Sequence, residues 1–172
     1  MNPKSVSFYQ SGCTLMLAIN PENLEVNSVE GINGFVRKTE VHITVFGFST
    51  GKKLKKLLKG ADSSEKMRRL RKLITKTDWS FSFLPKRFHI RKKYEGDGGE
   101  EETRESVIQM IDLPGLEGFY QTLNAIFGTD FAFPPPHVTL FVKGDNPKTS
   151  KMGIGLYSSE DLAKYTVGPF PV

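Results

Sequence analysis

Along this chain the spacing of apolar residues switches between two and three-to-four, so strands and helices are interleaved. The first apolar run, 14–19, predicts a strand closed by Asn20-Pro21, and the Asn, Gly and Glu content of 22–34 predicts a loop with one short turn at most. Residues 41–46 (Val-His-Ile-Thr-Val-Phe) are rich in β-branched and aromatic side chains and predict a second strand, ended by Gly47. Leu54, Leu57 and Leu58, then Met67, Leu70, Leu73 and Ile74, predict two amphipathic helices over 52–59 and 64–76, with Asp62 and Glu65 suited to cap the second.

In Trp79-Ser80-Phe81-Ser82-Phe83 rings alternate with hydroxyls, which predicts a half-buried strand with its aromatics in the core, ended by Pro85. Residues 88–94 and 104–112 predict two strands joined by a Gly-rich acidic loop, the acidic block being Glu95, Asp97, Glu100, Glu101, Glu102 and Glu105. The stripe Leu116, Phe119, Tyr120, Leu123, Ile126, Phe127 predicts a helix stopped by Gly128. Beyond Pro134-Pro135-Pro136 come a strand over 137–142, a strand-like 154–157 and a short helix near 159–164. Strands mixed with helices in 172 residues predict one α+β domain over 1–172 with a core large enough to need no staples.

Composition adds two constraints. The single cysteine, Cys13, stands before an apolar run and reads as a small buried residue in a reducing compartment, a poor nucleophile. The run 13–19 is too short to span a bilayer and has neither basic leader nor cleavage site, so a soluble, cytoplasmic monomer without membrane contact is expected. Net charge is +5, yet residues 52–76 alone hold eleven Lys and Arg against Asp62 and Glu65. The positive charge is thus a patch from Lys52 to Lys76, either a solvated face or a surface for RNA.

Candidate chemistry lies in a repeat. Two of the three histidines sit in the same pattern, His42-Ile43-Thr44-Val45-Phe46 and His137-Val138-Thr139-Leu140-Phe141. In a strand, residues i and i+2 face the same way, so each segment presents an imidazole and a hydroxyl together while Ile43, Val45, Val138 and Leu140 face the opposite layer. Two such strands side by side would gather two imidazoles and two hydroxyls into a volume that fits a phosphate. Hydrolysis of a phosphodiester needs a base for the attacking water and an acid for the leaving oxygen, roles that one neutral and one charged imidazole fill without a metal or cofactor. Threonine hydroxyls then donate to the non-bridging oxygens. Phe46, Phe141, Phe133 and Tyr157 are candidates to contact a base, and Lys143, sharing strand parity with His137 and Thr139, is a candidate near the phosphate. His89 has no threonine two residues on and reads as a surface or hairpin residue.

The paired motifs HITV at 42–45 and HVTL at 137–140, 95 residues apart, resemble the two-histidine (2H) phosphoesterase superfamily, which includes RNA-ligase-like 2′,3′-cyclic phosphodiesterases. The resemblance implies a bilobal duplicated α+β fold, antiparallel sheets lining a central cleft with helices outside, and His42, Thr44, His137 and Thr139 at the functional positions. The activity it implies is hydrolysis of a 2′,3′-cyclic phosphate on a nucleotide or an RNA end. Cleavage of 2′,5′-linked oligonucleotides or RNA 3′ ends, and a non-catalytic RNA-binding module, are the alternatives.

Overall fold

In the computed structural model, residues 1–9, 13–24, 34–95, 101–146 and 149–171 are described, and the following concerns those residues. In chain order they form β1 (Ser5–Tyr9), β2 (Thr14–Ala18), a 3-10 turn (Pro21–Asn23), β3 (Val36–Arg37), β4 (His42–Phe46), α1 (Phe48–Leu57), α2 (Ser63–Lys76), β5 (Ser82–Glu95), β6 (Glu101–Asp112), α3 (Gly115–Phe127), β7 (His137–Gly144), α4 (Ser159–Tyr165) and β8 (Thr166–Phe170). All eight strands join one antiparallel sheet in the order β1-β2-β4-β7-β6-β5-β8, with β3 running beside β7. The α+β class is as expected. No helix among the described residues is long and apolar enough to cross a membrane.

Alternation along β6 divides the interior. Val107 and Ile111 join the main cluster, where Leu15, Leu17, Ile43, Val45 and Val138 meet Leu54 of α1, Leu70 and Ile74 of α2 and Leu116, Phe119 and Leu123 of α3. Ile108 and Met110 point the other way and, with Ile90, pack under Ile154 and Leu156, flanked by Leu162 and Tyr165 of α4 and its end. Three helices therefore cover one face of the sheet. The other face is covered only partly, and there the cleft opens.

Several sequence expectations change. Pro85 does not end a strand: β5 runs through it, because two extra residues between Phe83 and Arg87 bulge away from β6, where a missing N–H costs no ladder bond. The Gln109 amide donates to the carbonyls of Leu84 and Lys86 and satisfies the bulge. Trp79 and Phe81 are buried as core residues yet precede the ladder, which starts at Ser82, and the Trp79 indole donates to Ile74 O at 2.9 Å. Residues 154–157 alternate buried and exposed like a strand but pair with none among the described residues. α1 begins at Phe48, before the predicted start, since its first inward residue, Gly51, carries no side chain to mark the period. Asp62 makes no cap bond to α2; it pairs with Lys66 at 2.8 Å, and Glu65 with Arg68 at 2.7 Å. Residues 96–100 of the acidic loop and 25–33 of the first loop lie outside the described residues.

Candidate active site

β4 and β7 are neighbours, paired antiparallel with Ile43 opposite Val138. One step along that register puts His42 opposite Thr139 and Thr44 opposite His137, so the two motifs are related by a local two-fold axis through the Ile43–Val138 pair. Directly opposed residues have Cβ atoms about 4.5–5.5 Å apart, and the two histidines, on the diagonal, about 7–8 Å. Ile43 and Val138 are 1% and 0% exposed and anchor the pair in the core. That burial fixes the register, since a slip by one residue would turn both imidazoles into the apolar layer. His42, Thr44, His137 and Thr139 all line a single cleft of about 220 Å³.

Each motif strand is bulged just after its threonine. In β4, Thr44 pairs with Met16 and Phe46 with Leu15, leaving Val45 extra; in β7, Thr139 pairs with Ile108 and Phe141 with Val107, leaving Leu140 extra. A one-residue bulge reverses the parity beyond it. The fifth residue of each repeat therefore swings to the core face: Phe46 is 1% exposed, stacked on Phe119 with centroids 6.2 Å apart, and Phe141 is 8% exposed in the main cluster. The expected base contact by Phe141 is corrected on this ground, as it lies outside the cleft, and Phe46 reaches the cleft only at its buried floor. Lys143 follows the same parity reversal and pairs with Glu105 at 3.4 Å, outside the cleft lining. Tyr157 does line the cleft, 41% exposed, whereas Phe133, its ring 6.1 Å from Tyr120, does not.

The carbonyls freed by the two bulges find donors from outside the ladder. The buried Tyr120 hydroxyl donates to Val45 O at 2.8 Å, and Lys38 N–H donates to Leu140 O at 2.9 Å. The second bond sets Lys38 at the cleft, its ammonium donating to Lys151 O at 3.1 Å. Lys38, Glu40, His42 and Thr44 all line the cleft, at two-residue steps. That alternation was present in the sequence ahead of β4 and is the signal by which Lys38 and Glu40 were to be found. Gly47, then Phe48 and Thr50 of α1, Tyr120, Pro134 and the segment 153–156 complete the lining. Gly153 packs closely there, and a Cβ at that position would stand 3.2 Å from the Thr139 hydroxyl and press on it.

Comparison with protein families, with curated proteins and with solved structures finds no match to this chain.

Electrostatics separates the two histidines. His137 donates from Nδ1 to Pro135 O at 2.7 Å, since a carbonyl only accepts, so its neutral ring carries the lone pair on Nε2. Burial holds its pKa below the usual histidine range, with the Pro135 bond opposing and the charge of His42 adding to the depression. His42 is lowered as well, first by burial and then by Lys38, while Glu40 pulls it back up. The third histidine, His89, is remote from this cleft and is no simple surface residue: Nε2 lies 2.6 Å from Glu105, and Phe35 meets the ring edge-on at 5.7 Å. Burial pushes the Cys13 thiol up, the direction opposite to a nucleophile's.

Proposed function

We propose that this chain is a two-histidine phosphodiesterase that opens a cyclic phosphate, in the first place a 2′,3′-cyclic phosphate on a nucleotide or RNA end, and that its sheet is the joined pair of lobes of that duplicated fold. One observation carries the reading: the antiparallel register about Ile43 and Val138 presents two His-Thr pairs, two-fold related, to one cleft. A symmetric pair of acid/base groups suits in-line displacement at phosphorus, where a proton leaves on one side and arrives on the other.

Neutral His137 takes a proton from water at Nε2, and the water oxygen bonds to phosphorus. The bond from phosphorus to one ribose oxygen breaks, and protonated His42 gives its proton to that oxygen, so a phosphomonoester and a free hydroxyl result. Burial disfavours the charge on both rings. On His42 Lys38 adds to this and Glu40 opposes it; on His137 the His42 charge adds and the Pro135 bond opposes it. The resting proton is placed on His42 because Glu40, the one carboxylate among the described residues of the cleft lining, acts there. Thr44 and Thr139 donate to the non-bridging oxygens, and the Lys38 ammonium balances the charge that develops there.

The test is turnover of 2′,3′-cyclic AMP by the purified protein in the presence of a chelator. His42→Ala and His137→Ala are expected to lower kcat by about 10³-fold or more. Full activity in His137→Ala would end the proposal.

A further inference from the structure

Phe48 begins α1 at the lip of the cleft with 72% of its surface exposed, more than any other large apolar side chain among the described residues. A single exposed ring is ordinary on a protein surface, but one set in the lining of a polar cleft is placed to meet what enters it. Tyr157 is the other exposed ring of the lining, at 41%.

Phe48 is also the head of a row. Residues four apart share a helix face, so Lys52 and Lys56 follow it, each about 6 Å further along the axis. Both are exposed, while Gly51 and Leu54 form the buried side of α1 and Lys53 is turned to the Phe131 ring at 5.9 Å. An aromatic ring followed by evenly stepped cations is the combination that holds single-stranded nucleic acid, the ring stacking a base and the cations tracking the backbone. A mononucleotide would use only the ring. The two lysines have no role for it.

Resting on the phosphodiesterase reading, we infer that the cleft takes the 3′ end of an RNA strand, with its terminal base stacked on Phe48 and the upstream phosphodiesters held by Lys52 and Lys56. The row leads away from the motif threonines along α1, so the strand lies over that helix and its terminal cyclic phosphate enters between His42 and His137.

The experiment compares kcat/KM for 2′,3′-cyclic AMP and for a hexanucleotide RNA ending in a 2′,3′-cyclic phosphate, over a series of salt concentrations. The wild type is expected to prefer the hexanucleotide by about tenfold or more at low salt. The Lys52→Glu/Lys56→Glu variant is expected to lose that preference, with the log–log salt slope for RNA reduced by about 1.4. Lys4→Glu/Lys86→Glu, the same charge change on two exposed lysines outside the row, is expected to keep it. Phe48→Ala is expected to raise KM for both substrates about tenfold and to spare ribose 2′,3′-cyclic phosphate, which has no base. Equal kcat/KM for the two substrates in the wild type, or a preference that survives Lys52→Glu/Lys56→Glu, would overturn the inference while leaving the phosphodiesterase intact. So would an equal loss in both double variants, which would mark an unspecific positive field. If the wild type turns over neither substrate, the phosphodiesterase reading fails. RNA affinity by fluorescence anisotropy then decides: weaker binding in Lys52→Glu/Lys56→Glu supports the row, and unchanged binding removes it.

Discussion

His42 and His137 occupy equivalent places in the two motifs and differ in what surrounds them. Both are held below the ordinary histidine value of 6.5, so the state with one proton on the pair is most populated on the acid side of that value. The kcat/KM profile is therefore expected to be a bell with its optimum below pH 6.5. With His42 as the acid, its pKa governs the alkaline limb. Removing the cation in Lys38→Met lifts that pKa and moves the alkaline limb up, and Glu40→Gln lowers it and moves the limb down. A shift of the acid limb instead would exchange the roles of the two histidines. The threonines are tested separately: Thr44→Val and Thr139→Val each remove one hydroxyl facing the cleft, and a loss in kcat of about 10²-fold is expected where that hydroxyl stabilises the transition state. These four residues were legible in the sequence because a period of two and a repeated residue type survive any detail of packing. Lys38 and Glu40 were legible in principle by the same period, but an irregular segment ahead of a strand offers no reason to extend it.

At the scale of elements, the decisive feature is a bulge after each threonine, and a single inserted residue leaves no mark in composition. Strict alternation through residue 141 and beyond placed Phe141 and Lys143 beside the phosphate, and the bulge at Leu140 sends both to the opposite face. The repeated phenylalanine is thus a packing residue: Phe46 stacks on Phe119 of α3, and Phe141 is buried in the main cluster. Phe46→Ala and Phe141→Ala are expected to cost about 3–5 kcal/mol in chemical denaturation with KM little changed. A base contact would show the reverse, a higher KM at unchanged stability. The carbonyls of the bulges need their donors, and Tyr120→Phe strips the one at Val45. An unsatisfied buried carbonyl costs about 1–3 kcal/mol, so a loss in that range is expected on unfolding. Proline misled in a similar way at residue 85, where a bulge accommodates what a regular ladder would reject. Edge strands β1 and β8 escaped notice because neither buries a residue fully: β1 shows no alternation, β8 alternates only between half-buried and exposed positions, and Gly168-Pro169 in β8 reads as a turn.

For the whole molecule, the cleft lies where the ladder is thinnest. β7 pairs with β6 over most of its length, but with β4 only through Ile43 and Val138, so the site sits on a seam closed by few backbone bonds. The fold holds both imidazoles in that seam against protonation, and this couples the site to global stability. Well above pH about 6.5 neither the folded nor the unfolded chain carries these protons, and they contribute nothing to the pH dependence. Below it the unfolded chain binds protons that the folded chain binds only at lower pH, so stability falls with pH until the depressed folded values are reached. His137→Gln takes one of these groups away. Its melting temperature is expected to fall less than that of the wild type between pH 7 and pH 5 by differential scanning calorimetry, whatever its level at pH 7. An inorganic phosphate ion bound between protonated rings stabilises the charged form, so in the wild type, but not in His137→Gln, phosphate is expected to recover part of the loss at pH 5. A wild-type melting temperature that stays level across this range would mean that the two rings are not held neutral, and the assignment of base and acid would lose its electrostatic ground.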